Sequence, residues 1–401
     1  MIKTGVIFCG GYGSRLGSIT KDKPKAMVLI NKKPFLEHLL IQMKGFGIKK
    51  VFLLVGYKSH KIINYFSKNN LGIEIHFSYC PPEKETGYRL NTIKNKIKEN
   101  FLLMYCDNYC SINLKKNILV FKNNESYITL SVCKKKNGNV SLSSKNKAKY
   151  FIKRNQNNQY VEIGYMICSN KILKYVNKDN VSINKYFNHK NISNNISAIK
   201  IDNNYLSISD KKRLFETRKF FKKKNIILID RDGVLNLKNR NSRYITNVNN
   251  LKMNSKIISV LKKFPKMKYV CITNQAGIAT GEVDKYKLKK INTFIKKYLK
   301  KQNINLIDFF VSTDHFNSKS FLRKPNPGLF FQAAEKYKLL LDKTFYIGDD
   351  PRDVLASFKA NTRCVYIGSR RKFDSMIRYD ISETLLTNLP KSIKLKNESN
   401  Y

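Results

Sequence analysis

The chain is expected to fold as an α/β protein of two domains, and three observations predict this. Short apolar runs rich in Ile, Leu and Val, such as Val51 to Val55 and Ile226 to Ile229, read as strands buried on both faces of a parallel sheet. Stretches with apolar residues at helical spacing separate these runs. The alternation is complete once before residue 222 and begins again at Ile226, which places the domains at 1–222 and 223–401. A chain of 401 residues, 42% of them hydrophobic, is long enough to bury two cores.

In the first domain Gly5 to Cys9 is an apolar strand that runs into Gly10-Gly11-Tyr12-Gly13-Ser14-Arg15-Leu16-Gly17. Glycines after a strand let backbone N–H groups approach phosphate oxygens, and an arginine in the loop adds a bidentate charge. A tight turn needs glycine for steric reasons alone, so the loop by itself is weak evidence. Lys23-Pro24-Lys25 supplies a fixed lysine. Asn31 to Leu40 reads as a turn and then a helix with Phe35, Leu36, Leu39, Leu40 and Met43 inward. The strand Val51 to Val55 leads to Gly56-Tyr57; Thr86-Gly87 follows, and the strand from Phe101 to Cys106 ends in Asp107. Lys134 to Asn158 is polar and Asn-rich, as in a surface hairpin or mobile loop. Val161 to Met166 is a further strand carrying Glu162, Tyr205 to Ser209 comes next, and a helix from Lys211 to Lys224 closes the domain.

In the second domain Ile226 to Ile229 is a strand with Asp230 and Asp232 at its carboxyl end, the end where open α/β sheets bind ligands. Two acids two apart, followed by Gly233, suit a site where one attacks, the other handles a proton and Mg²⁺ screens their repulsion. A helix near Ser255 to Lys263, the strand Tyr269 to Ile272 and Thr273-Asn274-Gln275-Ala276-Gly277 follow. A basic amphipathic helix spans Asp284 to Gln302, and a strand spans Leu306 to Val311. Arg323-Lys324-Pro325 precedes the strand Thr344 to Ile347, which ends in Gly348-Asp349-Asp350-Pro351-Arg352-Asp353. Asp350 and Asp353 are secondary candidates; for Asp353 a helix N-cap is the preferred reading.

Lys and Arg number 77 against 28 Asp and Glu, a formal charge of +49. The lysines are spread along the whole chain with abundant Asn and Ile, and aromatic signatures of RNA binding are absent. Small anionic substrates are therefore expected, with no specific nucleic-acid partner. Eight scattered cysteines without metal-binding spacing fit free thiols in a reducing compartment, and no run approaches the ~20 residues that span a bilayer. A cytoplasmic protein without a membrane partner is expected; the oligomeric state stays open.

Gly-Gly-x-Gly-Ser-Arg-Leu, then Pro24-Lys25, then Lys33-Pro34-Phe35-Leu36-Glu37 occur in the order that resembles the sugar-1-phosphate nucleotidyltransferases. The resemblance implies a Rossmann-like, GT-A-like domain. Gly10, Gly11, Gly13, Gly87 and Arg15 would hold a nucleoside triphosphate, Lys25 would contact the reacting phosphates, and Asp107 would carry Mg²⁺, with Cys106 where relatives usually have glycine. Glu162 would meet sugar hydroxyls. Ser207 falls where many relatives carry an aspartate as second metal ligand, and a hydroxyl binds Mg²⁺ less strongly than a carboxylate.

The strand-end Asp pair, strand-end Thr273, loop Lys324 and strand-end acidic cluster resemble the four motifs of haloacid-dehalogenase-type phosphatases, with a HAD-like Rossmannoid fold. By that resemblance Asp230 is the nucleophile, Asp232 the general acid and base, and Thr273 and Lys324 hold phosphoryl oxygens. Asp349 completes a Mg²⁺ site with Asp230 and the backbone of Asp232, and Arg231, Asn274 and Arg323 join the substrate site. Asp230 and Thr273 are 43 positions apart and Thr273 and Lys324 are 51, too few for a large cap. Within the superfamily the motifs look most like heptose bisphosphate 7-phosphatases and histidinol phosphatases. Those relatives carry a zinc loop before Arg-Lys-Pro, where this chain has Ser312, Asp314, Ser320 and Leu322, so no zinc is expected.

Together the resemblances imply a bifunctional enzyme of nucleotide-activated heptose synthesis, removing the 7-phosphate of a heptose 1,7-bisphosphate and transferring a nucleotide, GMP from GTP by family likeness, to the 1-phosphate. Alternatives are another sugar phosphate with CTP or UTP, a phosphatase with a degenerate N-terminal binding module, or a polynucleotide 3′-phosphatase.

Overall fold

In the computed structural model, residues 2–69, 71–202, 205–239, 244–368 and 379–381 are described. The chain divides into two compact units, Met1–Lys222 and Lys223–Tyr401.

The first unit is built on a nine-stranded sheet. Its central strand, Thr4–Cys9, pairs in parallel with Lys50–Val55 on one side and Phe101–Tyr105 on the other, and Glu74–Tyr79 lies parallel beyond Lys50–Val55. All six residues of Thr4–Cys9 are buried, as the apolar run requires. The strand order reverses between Thr4–Cys9 and Phe101–Tyr105, and Gly10 and Asp107 follow those two strands at this switch point, where α/β sheets bind ligands. Tyr160–Cys168 runs antiparallel to Phe101–Tyr105 and to Ile128–Lys134. The Asn-rich stretch is an antiparallel hairpin of Gly138–Leu142 and Ala148–Asn155.

The first long helix, Phe35–Gly45, buries the expected Phe35, Leu36, Leu39, Leu40 and Met43, and also Glu37, His38 and Gln42. Those polar groups are satisfied: Lys33 pairs with Glu37 and the Gln42 amide donates to the Cys110 carbonyl. The closing helix is Lys211–Phe221. It is tied to this unit because Thr217 donates to the Ser207 carbonyl and the Phe221 ring packs on Phe35, His38 and Tyr109.

The second unit carries a six-stranded parallel sheet in the order Asn305–Ser312, Lys268–Asn274, Ile226–Ile229, Phe345–Gly348, Arg363–Tyr366 and Tyr379–Ile381. Apolar clusters lie on both faces. One includes Ile227, Ile229, Ile291 and Ile295, the other Leu228, Val270, Phe330 and Val354. This is why the strands read as continuous apolar runs rather than alternating ones. The basic helix, Lys285–Lys301, puts Leu288, Ile291, Ile295 and Leu299 inward and its lysines outward.

Candidate active sites

In the second unit Asp230 follows Ile229 directly, its N–H donating to the Ile347 carbonyl of the adjacent strand. Thr273, Asn274, Lys324 and Asp349 come from other loops and strand ends, yet they line one cavity of ≈ 330 Å³ with Asp230, Asp232 and Arg323. The strand register brings them together: Ile226–Ile229 sits between Lys268–Asn274 and Phe345–Gly348, so three carboxyl ends share one edge.

Lys324 is 3% exposed. Its Nζ lies 2.8 Å from Asp230 Oδ1 and 2.8 Å from Asp353 Oδ1, and donates to the Ile272 carbonyl and the Tyr346 hydroxyl. Its loop is braced by a reciprocal pair: Asn274 Nδ2 donates to the Lys324 carbonyl and the Lys324 N–H donates to Asn274 Oδ1. Burial pushes the Asp230 carboxyl well above the carboxylate range, against the pull of Lys324, with Asp353 and Asp349 adding to the push. The Lys324 ammonium is raised although burial opposes it, because Asp230 and Asp353 face it.

Asp232 has a different environment. Burial would raise its carboxyl, but Arg231 and the amides of Asn236 and Gln275 outweigh it and hold the group below the usual range. Gln275 Nε2 bonds both Asp232 Oδ2 (2.7 Å) and Thr273 Oγ1 (2.9 Å), which couples the two. Arg231 departs from expectation. It is fully buried, forked on Asp232 and bonded to Asn292 of the basic helix, so it does not line the cavity. A guanidinium beside an ionised acid at a closed sheet edge finds its partner within the fold rather than in the ligand space.

Oxygens of Asp230, Asp349 and Asp353 lie within 4.8 Å of one another. Among the described residues Asp349 Oδ1 is buried without a hydrogen-bond partner, and Lys238 Nζ sits 2.5 Å from Asp349 Oδ2. Gly233 has φ 91°, and a Cβ there would fall 2.1 Å from Asp349 Oδ2, so only glycine lets the two segments close around the carboxylate. Converging acids, an orphaned oxygen and a lysine already drawn in fit a hard divalent cation such as Mg²⁺.

Asp353 exceeds the cap role expected of it. The helix Pro351–Ala360 is N-capped by Asp350, and Asp353 completes a capping box, its Oδ2 accepting the N–H groups of Asp349 and Asp350. Its Oδ1 meets Lys324 and Tyr346. The sequence marked an acidic helix start but put the cap at Asp353, where the structure has Asp350. Lys324, Tyr346 and Lys238 arrive from remote positions, and nothing local marked that convergence.

At the positions compared with a zinc loop, Asp314 Oδ2 accepts from the hydroxyls of Ser312 (3.2 Å) and Ser320, and the Arg323 guanidinium donates to the Asp314 carbonyl (3.4 Å). Leu322 packs against the core. Serine hydroxyls and a carboxylate thus hold the loop through hydrogen bonds.

In the first unit Lys25 Nζ lies 2.6 Å from Asp107 Oδ2, across 82 positions of sequence. A neighbouring cavity of ≈ 500 Å³ is lined by Glu162, Ser207, Asp210, Lys135, Arg154 and Lys212, among others. Burial pushes Glu162 up to about 7, and the charge of Asp107 adds to the shift while the Gly164 N–H opposes it. Ser207 is paired in register with Asn108, beside Asp107, and its Oγ accepts the Ser209 N–H. Among the described residues no three-acid cluster forms at Asp107. Gly10, Gly11, Gly13 and Arg15 do not line this cavity. Arg15 is exposed, and it is one of the charges that lower Asp210, chiefly held low by the Arg213 N–H. Gly87 is buried and its N–H donates to the Val181 carbonyl.

Residues 4–212 match the family model described as nucleotidyl transferase, and residues 203–367 match haloacid dehalogenase-like hydrolase. The D-glycero-alpha-D-manno-heptose 1-phosphate guanylyltransferase of Campylobacter jejuni is 40% identical over 127 residues, 32% of this chain and 56% of that protein. The chain thus spans about half the length of that relative. The D-glycero-alpha-D-manno-heptose-1,7-bisphosphate 7-phosphatase of Photorhabdus laumondii is 28% identical over 152 residues, 35% of this chain and 81% of that protein. The crystal structure of HddC from Yersinia pseudotuberculosis aligns with TM-score 0.49 and 24% identity over 55% of this chain and 100% of that one. Because the first family model covers more than half of its length, the chain belongs to the nucleotidyl transferase family, with a haloacid dehalogenase-like hydrolase domain following in the same polypeptide.

Proposed function

We propose that the chain is a bifunctional enzyme of nucleotide-activated heptose synthesis. The second unit hydrolyses the 7-phosphate of D-glycero-D-manno-heptose 1,7-bisphosphate, and the first transfers GMP from GTP to the resulting heptose 1-phosphate. The observation that carries this reading is the shared cavity of Asp230, Asp232, Thr273, Lys324 and Asp349, built from four separate segments. Likeness to the two heptose enzymes supports the choice of sugar and base. The proposed setting is the cytoplasm; seven of the eight cysteines are buried, and no helix among the described residues is long and apolar enough to cross a membrane.

In the phosphatase, an Asp230 oxygen attacks phosphorus, the P–O bond to the sugar breaks, and Asp232 gives its proton to the leaving alkoxide. Asp232 then takes a proton from water, the water oxygen attacks the phosphorus of the aspartyl phosphate, the P–O bond to Asp230 breaks, and inorganic phosphate leaves with the Asp230 carboxylate restored. The depressed carboxyl of Asp232 suits the second, basic role. Lys324 holds Asp230 in place and, with Thr273, would bind phosphoryl oxygens. Asp230, Asp349 and Asp353 are the side chains that would hold Mg²⁺, which supplies positive charge against the phosphoryl oxygens. In the transferase, a sugar 1-phosphate oxygen attacks the α-phosphorus of GTP and pyrophosphate leaves. Lys25 would neutralise the growing charge, Asp107 would hold Mg²⁺, and Glu162 would bond sugar hydroxyls.

The test is phosphate release from a panel of sugar bisphosphates followed by pyrophosphate release on addition of GTP. Asp230→Asn is expected to abolish the first and leave the second intact on supplied 1-phosphate. Absence of phosphate release from every bisphosphate would overturn the reading. The serine at 207, whose hydroxyl accepts a backbone N–H, favours one competitor, a first unit that binds without catalysing. Pyrophosphate release that is lost in Asp107→Asn would dismiss it.

A further inference from the structure

Arg89, in the short helix Thr86–Asn91, has no role in the chemistry above, yet it is 3% exposed and fully bonded. Its Nε donates to the Lys84 carbonyl at 2.9 Å. Nη1 donates to the carbonyls of Val55 (3.2 Å) and Cys80 (3.3 Å), and Nη2 to those of Gly10 (3.4 Å), Pro81 (2.8 Å) and Pro82 (3.1 Å). Val55 ends its strand, and Gly10 and Cys80 directly follow theirs, so the guanidinium gathers carbonyls from the carboxyl ends of three adjacent parallel strands. The fit is close. A Cβ on Gly10 would lie 1.8 Å from Nη1, and one on Gly56 would lie 2.8 Å from it.

Two physical consequences follow. Carbonyl oxygens at this sheet edge present partial negative charge to any anion in the Gly10–Gly11 loop, and the guanidinium turns that repulsion into attraction. Every acceptor Arg89 meets among the described residues is a neutral carbonyl, and a guanidinium keeps its charge inside proteins. A buried charge without a counter-ion is unfavourable unless an anion approaches it.

We propose that Arg89 is a positioning residue of the nucleotidyl site: it fixes the strand ends beneath the Gly10–Gly11 loop and offers an uncompensated positive charge to the polyphosphate of an incoming nucleoside triphosphate. The inference rests on the transferase reading of the first unit. In the full-length chain, pyrophosphate release is measured against GTP and against sugar 1-phosphate for wild type, Arg89→Gln and Arg89→Lys. Arg89→Gln is expected to raise KM for GTP about tenfold or more, with kcat and the KM for sugar phosphate changed less than about threefold. Arg89→Lys keeps the charge but not the fork, so its KM for GTP is expected within about threefold of wild type while its melting temperature falls. An unchanged GTP KM in Arg89→Gln, or a loss in Arg89→Lys as large as in Arg89→Gln, overturns the proposal. If Arg89→Gln does not fold, Arg89→Lys decides alone, a tenfold loss of GTP affinity being the contrary result. A wild-type chain that neither releases pyrophosphate nor binds GTP removes the transferase reading and Arg89's role together. An active wild type with indifferent variants removes Arg89 only.

Discussion

Residue identity acts in these sites through environment more than through type. Glu162, inside the strand Tyr160–Cys168, and Asp232, just past Ile226–Ile229, are both carboxyls, yet burial pushes the first up to about 7 while Arg231, Asn236 and Gln275 hold the second low. A carboxyl whose folded pKa is raised lends stability that is present below its unfolded pKa and is lost as pH rises through the folded value. Glu162 therefore favours the fold near pH 4 to 5 and disfavours it progressively up to about 7. Glu162→Gln, which keeps an acceptor for the Gly164 N–H, is expected to melt a few degrees above wild type at pH 8, with the difference vanishing near pH 4.5. Scanning calorimetry at the two pH values checks it. Lys238 offers a second residue-scale test. Its Nζ already pairs with Asp349, so a divalent ion must compete with it. Lys238→Met is expected to lower the Mg²⁺ concentration for half-maximal phosphate release by about twofold to fivefold, the scale of a part-exposed ion pair. An unchanged or raised Mg²⁺ requirement would contradict this.

At the scale of elements, the positions of the loops that line the cavity follow from strand ends, but their rigidity comes from side chains that cross between loops. Asn274 and Lys324 exchange amide hydrogen bonds, and Asp314 gathers Ser312, Ser320 and Arg323 into one network. This carboxylate and its hydroxyls occupy the place that a zinc site was compared with, and Arg323 lines the phosphatase cavity. Asp314→Ala is expected to raise the bisphosphate KM about tenfold with kcat changed little, because the loop that carries Arg323 loosens while Asp230, the proposed nucleophile, is untouched. Steady-state phosphate release measures both constants. Added Zn²⁺ is expected to leave them unchanged. An acidic helix start after Gly348 was legible, but the structure makes Asp350 the N-cap and puts Asp353 three residues on, and of the two readings of the Asn-rich stretch, hairpin or mobile loop, the structure shows the hairpin. The burial of Arg231 was not, since its partner Asn292 lies on a helix 61 positions away.

At the scale of the whole molecule, each cavity is built from residues of a single unit. The two activities are accordingly expected to be separable by point substitution in the intact chain. Asp107→Asn should abolish pyrophosphate release and leave phosphate release within about twofold, and Asp230→Asn should do the reverse; loss of both activities in either variant would contradict the assignment of sites. The sequence alone determined the α/β class, the most apolar strands with their flanking helices, and the ordered motifs that mark the two families, because these depend on apolar periodicity and on residues at strand ends. Only the tertiary structure decided which charges meet: Lys25 with Asp107, Lys324 with both Asp230 and Asp353, Lys238 with Asp349, and Arg89 with three strand ends. The physical reason is range. Periodicity is a property of neighbouring residues, whereas an ion pair depends on the separation of groups that the chain brings together only after its sheets have formed.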